Sequence, residues 1–464
     1  MIWSSKEAEF ATKGSSTSPW VAQGVSIDSR TTSKGDLFVA LSDRRDGHDF
    51  IEMAFEAGAS AALVSRIPDN FSGNKPLLIV QSVQQALEDL ARYRRNETKA
   101  KCIAITGSVG KTTTKELLKF VLVKQGKTHA AEQSFNNHWG VPLTLARMPK
   151  DTQYGIFEVG MNAPGEILPL SKMIQPHVGI VTSVGAAHLA AFKDINAIAR
   201  EKSQIFGGLT DQGTAIINGD LETASILEET ARKREANIIK FGYTSEAHFQ
   251  IKEVQYIPGG TQFKFLVNGS EVISKISARG EHFTLNAMSV LAAVKEVGGN
   301  EVTASLDLTF WKPQDGRGAL RKINLDSADD SFSFDLLDDS YNANPVSLLA
   351  GLKVLASLEG YKRKVAILSD MLELGPESPK IHSTLAGNPL CKSVTKFHCI
   401  GPLMKNFYSN LPQEKRGFWV ETADEISSRV KEIVSVGDVV LVKGSKGSRA
   451  SDVVQKIKLL HRPS

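Results

Sequence analysis

The apolar run Cys102-Ile103-Ala104-Ile105 passes without a break into Thr106-Gly107-Ser108-Val109-Gly110-Lys111-Thr112-Thr113-Thr114, and no other stretch constrains the fold as tightly. Four apolar residues ahead of a glycine turn predict a buried strand, and the polar sequence beyond Gly110 predicts a helix. In that order, the backbone N–H groups of Gly107, Ser108, Val109 and Gly110 wrap an anion toward which the helix also points its positive end. Lys111 adds a fixed cation for the outer phosphates, and the hydroxyl of Thr112, followed by Thr113, is placed to ligate Mg²⁺. Ile105 stands where the usual pattern has its first glycine, so the reading rests on the succession of strand, loop and helix. It predicts an α/β protein that binds a nucleoside triphosphate.

Composition narrows the class. A chain of 464 residues exceeds one core and predicts about three domains. With 41% hydrophobic and 23% charged residues it is neither disordered nor fibrous, and a net charge of +4 without basic runs argues against nucleic acid as a partner. Cys102, Cys391 and Cys399 lack metal-ligand spacing and are expected to be free thiols. The N-terminal Met1 to Glu7 has no apolar leader pattern, and no uninterrupted apolar stretch is long enough to span a bilayer. A cytoplasmic protein is expected.

Residues 20–82 mix strand patterns (Gly35 to Leu41, Ala61 to Val64, Leu77 to Val80) with a helical one near Phe50 to Ala57, and a helix from Val83 to Arg95 precedes a polar run. The first boundary is therefore placed so that residues 1–98 form one domain. From 99 to 314, strands at Tyr154 to Val159, Val178 to Val184, Thr214 to Asn218 and Ile238 to Phe241 alternate with helical stretches, the pattern of a mostly parallel sheet, and a hairpin-like insert at Phe249 to Ile276 is expected to interrupt it. After the turn Asp315-Gly316-Arg317-Gly318, a second alternating series (Phe334 to Asp338, Lys364 to Ser369, Phe397 to Ile400, Val439 to Val442) predicts a Rossmann-like domain over 315–464 that lacks the glycine fingerprint.

Ligands of open α/β sheets gather where strands end. Glu158 closes one predicted strand and His188 follows another. Glu158 reads either as a Mg²⁺ ligand or as a carboxylate paired with arginine, and His188 either as a companion ligand or as a core histidine. Lys202, in a helical stretch marked by Ile198, Ile205 and Phe206, has no special role by periodicity alone.

Together, Thr106 to Thr113, Phe157-Glu158-Val159-Gly160-Met161-Asn162, and His188 followed by Lys202 closely resemble the central ATPase domain of the Mur ligases, the amide-forming enzymes of peptidoglycan assembly. The resemblance covers nearly the whole chain. Ser134 to Leu143, Asp339-Ser340-Tyr341-Asn342-Ala343-Asn344-Pro345 and Asp370 to Gly375 look like the member that adds D-alanyl-D-alanine, and no Asp-Asn-Pro-Arg stretch of the diaminopimelate-adding or lysine-adding type is present. A phosphate-loop GTPase is disfavoured because no Asn-Lys-x-Asp guanine motif follows a strand.

The resemblance implies an ATP-dependent ligase with ATP and Mg²⁺, taking UDP-N-acetylmuramoyl-tripeptide and D-alanyl-D-alanine and acting as a monomer. It assigns Lys111, Glu158, His188 and Lys202 to catalysis, with Lys202 carbamylated by CO₂ and ligating Mg²⁺ beside Thr112, Glu158 and His188. Asn286 is placed toward adenine and Arg317 toward the phosphates, while Asp339, Tyr341 and Asn342 line the cleft near the nucleoside and incoming amine. Ser29-Arg30-Thr31 and Asp46-Gly47-His48, with Asn136 and Asn137, are implied for the uridine-nucleotide substrate.

Overall fold

A computed structural model describes residues 1–68, 71, 74–186 and 190–462. Three mostly parallel sheets follow one another along the chain, and each packs helices against apolar strands. The first orders its strands Ser15–Ser16, Leu77–Ile79, Ala61–Val64, Asp36–Val39 and Gly24–Ser26, all parallel except the first pair. Helix Val83–Glu97 begins where the Ser82 hydroxyl accepts the N–H of Gln85, and it buries Leu87 and Leu90 in this unit's core. Near its end Arg95 donates to the carbonyls of Ile174 and Gln175 at 2.6 and 2.9 Å, which fastens the first unit to the second.

The central sheet holds nine strands, with the phosphate-loop strand Lys101–Thr106 between Tyr154–Glu158 and Val178–Val181. Helix Lys111–Leu122 leaves Lys101–Thr106 on one face, where Leu117 and Val121 share a core with helix Glu281–Glu296. The chain leaving Tyr154–Glu158 instead enters helix Ile167–Ile174 on the opposite face. Neighbouring strands whose connections depart to opposite sides leave a crevice at their carboxyl ends.

Two expectations are corrected here. The strand expected over Val178 to Val184 ends at Val181, because Thr182 and Ser183 turn their hydroxyls to the phosphate loop: Thr182 donates to the carbonyl of Val109 at 2.6 Å and the Ser183 hydroxyl accepts its N–H at 2.9 Å. The insert expected to interrupt the sheet continues it, since Phe249–Ile257 pairs parallel with Asn237–Gly242 and then antiparallel with Gly260–Val267, beside which lies Ser270–Ile276.

The third sheet orders Ala319–Asn324, Ser333–Asp339, Asp438–Lys443, Arg363–Ser369, Lys396–Ile400 and Arg416–Val420. Helix Pro345–Ser357, after Ser333–Asp339, and helix Ala450–Lys458, after Asp438–Lys443, cover opposite faces, so a second crevice opens at these two strand ends. All three cysteines are buried and unpaired, and burial pushes the thiols of Cys102 and Cys391 up to about 11. Among the described residues no helix is long and apolar enough to cross a membrane.

Candidate active site between the central and C-terminal sheets

The two crevices face each other across a cleft of about 810 Å³. On the central side the phosphate loop demands glycine at two points. A Cβ on Gly107 would collide with the Thr182 hydroxyl, and one on Gly110, whose φ is +87°, would lie 2.7 Å from the Asn286 side-chain oxygen. Asn286 thus packs directly over the loop. Lys111 is enclosed, and its ammonium donates to the carbonyl of Gly107 at 2.7 Å. Burial holds its pKa below the ordinary lysine value, with Glu158 opposing that shift and Arg317 reinforcing it.

Thr112 donates its hydroxyl proton to Glu158 at 2.8 Å, and the other carboxylate oxygen of Glu158 accepts from Asn136 at 2.8 Å. Glu158 is 2% exposed, and its partners are Thr112 and Asn136 rather than an arginine among the described residues. Asn137 accepts the N–H of Gly140 at the start of helix Gly140–Ala146, and both asparagines line this cleft. Thr113 lines it as well.

Lys202 lies on helix Ile195–Ser203, whose first turn is capped by Asp194, and it is buried rather than solvated. Burial first, and the Lys111 cation second, hold its pKa well below the ordinary lysine value. Two buried lysines within electrostatic reach favour an anion between them. His188 lies outside the described residues.

The opposite wall comes from the C-terminal unit. Arg317 stacks its guanidinium 3.9 Å from the centroid of the Tyr341 ring. Asp339 and Lys443 are register partners at the ends of adjacent parallel strands and form a 2.7 Å ion pair, and Lys443 also donates to the carbonyl of Asn342 at 3.0 Å. Burial nevertheless holds the Asp339 carboxyl above its usual range.

The remaining expected residues sit on the first unit and do not line this cleft. Arg30 pairs with Asp28 at 2.6 Å and its side chain is 79% exposed, on a turn that also carries Ser29 and Thr31. Asp46 holds the His48 ring at 2.6 Å, accepts from Ser42 at 2.8 Å and pairs with Arg66 at 2.7 Å. Burial opposes ionisation of Asp46, but the His48 N–H and ring together with Ser42 hold its pKa well below the carboxylate range. Gly47 is packed so closely that a Cβ would strike the carbonyl of Leu41. The structure therefore places Ser29 to Thr31 and Asp46 to His48 separately on the first unit, and Asn136 and Asn137 beside the phosphate loop.

Sequence reasoning took Ser134 only as the first residue of the Ser134 to Leu143 motif, with no role of its own, and missed Lys443 and Glu201. The Glu201 carboxylate accepts the N–H groups of Gly165 and Ile167 at 2.9 and 3.0 Å, tying the loop after Glu158 to the helix that carries Lys202. Position at a strand end could have flagged Lys443; Glu201 had no local signal, and nothing in its motif singled out the Ser134 hydroxyl.

A phosphate loop, a strand-end carboxylate and a second sheet closing over them define a nucleoside-triphosphate site in a protein of three-unit design. Models of the Mur ligase family, catalytic domain, the Mur ligase middle domain and the Mur ligase glutamate ligase domain match residues 21–95, 105–294 and 329–446. The chain belongs to the Mur ligase family. Among similar proteins, the UDP-N-acetylmuramoyl-tripeptide–D-alanyl-D-alanine ligase of Rickettsia prowazekii is 32% identical over 98% of this chain and 99% of its own, and that of Bacillus subtilis is 32% identical over 94% and 93%. A crystal structure of MurF from Acinetobacter baumannii superposes with a TM-score of 0.85 at 27% identity, covering 98% of this chain and 99% of that one. The MurF ligase of Thermotoga maritima in complex with ADP gives 0.79 at 25% identity, covering 94% and 97%.

Proposed function

We propose that this chain joins D-alanyl-D-alanine to UDP-N-acetylmuramoyl-tripeptide at the expense of ATP. The observation that carries the reading is the convergence of Lys111, Thr112, Glu158 and Arg317 on one cleft, with Lys202 buried within electrostatic reach of Lys111, in a chain similar along its whole length to ligases named for that reaction.

The tripeptide carboxylate attacks the γ-phosphoryl group of ATP, the bond to the β-phosphate oxygen breaks, and an acyl phosphate and ADP result. Lys111, released from the carbonyl of Gly107, and Arg317 neutralise charge on the transferring group. The dipeptide amine, as its free base, then attacks the acyl carbon, and the tetrahedral intermediate expels phosphate as the amide forms. The C-terminal wall, with Asp339, Tyr341 and Asn342, keeps water from the acyl phosphate and positions the amine. Asn286, over the phosphate loop, faces the nucleoside.

The Thr112 hydroxyl and the Glu158 carboxylate, 2.8 Å apart, supply the oxygen donors that Mg²⁺ prefers. Mg²⁺ bound there supplies charge stabilisation for the phosphates. Burial of Lys202 beside Lys111 supports its carbamylation, because only an amine that sheds its proton reacts with CO₂ and only the resulting anion relieves the facing cations. His188 is assigned with it on the family resemblance. Ser29, Arg30, Thr31, Asp46, Gly47 and His48 are assigned to the uridine nucleotide, and Asn136 and Asn137 to its peptide end, where they meet the cleft. The three family matches support domains at 1–98, 99–314 and 315–464. Consumption of ATP and three unpaired thiols support a cytoplasmic location, and a cleft completed by one chain supports a monomer.

The test is mass spectrometry of the product formed with ATP, Mg²⁺, UDP-N-acetylmuramoyl-tripeptide and D-alanyl-D-alanine. A product heavier by the dipeptide less water, dependent on both ATP and dipeptide, is expected. Transfer of a single amino acid in its place would assign the chain to a sibling ligase.

A further inference from the structure

Ser134 belongs to the central unit, on the loop that follows strand Thr128–Ala130, yet two of its three partners belong to the C-terminal unit. Its hydroxyl lies 3.4 Å from an Arg317 guanidinium nitrogen, 3.2 Å from the Tyr341 hydroxyl and 3.3 Å from the Thr112 hydroxyl. Donor accounting fixes the direction of each bond. Arg317 can only donate, and Thr112 has its proton on Glu158. The Ser134 hydroxyl therefore accepts from Arg317 and Tyr341 and gives its one proton to Thr112, which uses its full capacity of two acceptor sites and one donor.

From this arrangement we infer that Ser134 is a positioning residue which, before nucleotide arrives, docks Arg317 and Tyr341 of the C-terminal unit onto the phosphate-loop residue Thr112. The inference rests on the reading of the cleft as the ATP site. Ser134 touches no reacting atom in it. A single bonded series runs from Arg317 and Tyr341 through Ser134 and Thr112 to Glu158, so beside the Lys353–Glu281 ion pair and the bonds from Arg279 to Ser357 the C-terminal wall has a tie that reaches into the triphosphate site itself. Its contacts are long and mostly neutral, hence individually weak. Phosphate oxygens offer Arg317 a charged and stronger acceptor, so filling the site redirects the arginine from Ser134 to the nucleotide.

The loop is itself braced. Lys115, fully buried on the phosphate-loop helix, donates to the carbonyls of Ala131 and Gln133 at 2.8 and 3.2 Å, immediately ahead of Ser134. Ser134 thus moves with the helix that carries Thr112, and the dock registers the nucleotide site itself rather than a drifting surface loop.

The test compares wild type with Ser134→Ala, Ser134→Thr and Tyr341→Phe by small-angle X-ray scattering of the free protein and by steady-state kinetics with ATP varied. Scattering of the free protein requires no substrate, so it stands even where the ligase assay fails, and that assay on wild type tests the functional reading separately. Ser134→Ala is expected to enlarge the radius of gyration of the free protein, with Tyr341→Phe doing so from the other side of the same bond and Ser134→Thr keeping the wild-type profile. The KM for ATP of Ser134→Ala is expected to rise about fivefold, because Arg317 must then be ordered at the moment of binding. Its kcat is expected to stay within about twofold, since the phosphates hold Arg317 once bound. A free-state profile of Ser134→Ala that superposes on wild type, or an unchanged KM for ATP beside a fallen kcat, would overturn the inference.

Discussion

The Lys111 ammonium donates to the carbonyl of Gly107, 2.7 Å away in the same loop, so the cation that the proposed reaction assigns to the phosphates is held within its own turn. Lys111→Ala removes this charge and no packed core, and turnover is expected to drop by about three decades with the thermal transition little changed. Initial-rate measurements of phosphate release check it, and a near-wild-type rate would remove the phosphate loop from the chemistry.

Lys202 leads to a rescue experiment. If its buried amine works as a carbamate, Lys202→Ala is expected to be nearly inactive and to regain part of its activity with formate or acetate, which supply the missing oxygens in the vacated space. Labelling with ¹³CO₂ should mark wild type and not the variant. A fully active Lys202→Ala, indifferent to either acid, would show that the residue is only packing.

Arg30 is held by Asp28 on an exposed turn outside the cleft. Arg30→Ala is therefore expected to weaken binding of UDP-N-acetylmuramoyl-tripeptide by about tenfold, the size of one lost charge-assisted hydrogen bond, and to leave ATP affinity unchanged. Calorimetric titration with each ligand separates the two, and equal affinity of variant and wild type for the nucleotide peptide would clear Arg30 of the role.

Acid stability depends on wholly or partly buried histidines that must stay neutral, among them two that accept backbone N–H groups at their Nδ1 atoms. The His177 and His398 rings accept the backbone N–H groups of Cys102 and Phe418, each at 3.1 Å, which a protonated ring nitrogen cannot do. Burial, with nearby cations, lowers both to about 4. In the unfolded chain they titrate near the ordinary value of about 6.5, so between there and about pH 4 the unfolded state binds more protons and stability falls as the pH falls. The melting temperature is expected to decline across that window, and His177→Asn, which accepts the same N–H without titrating, should shallow the decline. A slope identical in variant and wild type would place the acid sensitivity elsewhere.

The central strands were readable because fully buried parallel strands are continuous apolar runs, as in Cys102 to Ile105, and the phosphate loop because its glycines and lysine sit at fixed offsets. Edge strands were not: Arg416–Val420, half covered, has an apolar run of only three residues, Phe418 to Val420, and Ala319–Asn324 exposes Leu320, Arg321 and Lys322 in succession on an open edge. The end of Val178–Val181 was misplaced because Val184 extends the pattern past Thr182 and Ser183, whose hydroxyls leave the strand to brace the loop. Glu158 was visible from its strand end. Ser134 was not, because its importance arises from residues 183 and 207 positions away that only the fold brings to it.

The burial of Cys102, Cys391 and Cys399 has a practical side. Thiols that are both enclosed and reluctant to ionise react slowly with maleimides, so the native chain offers a silent background for chemical labelling. One cysteine introduced on each of the central and C-terminal units would take fluorophores selectively, and the opening and closing of the cleft could be followed molecule by molecule without first stripping the protein of its own sulfur.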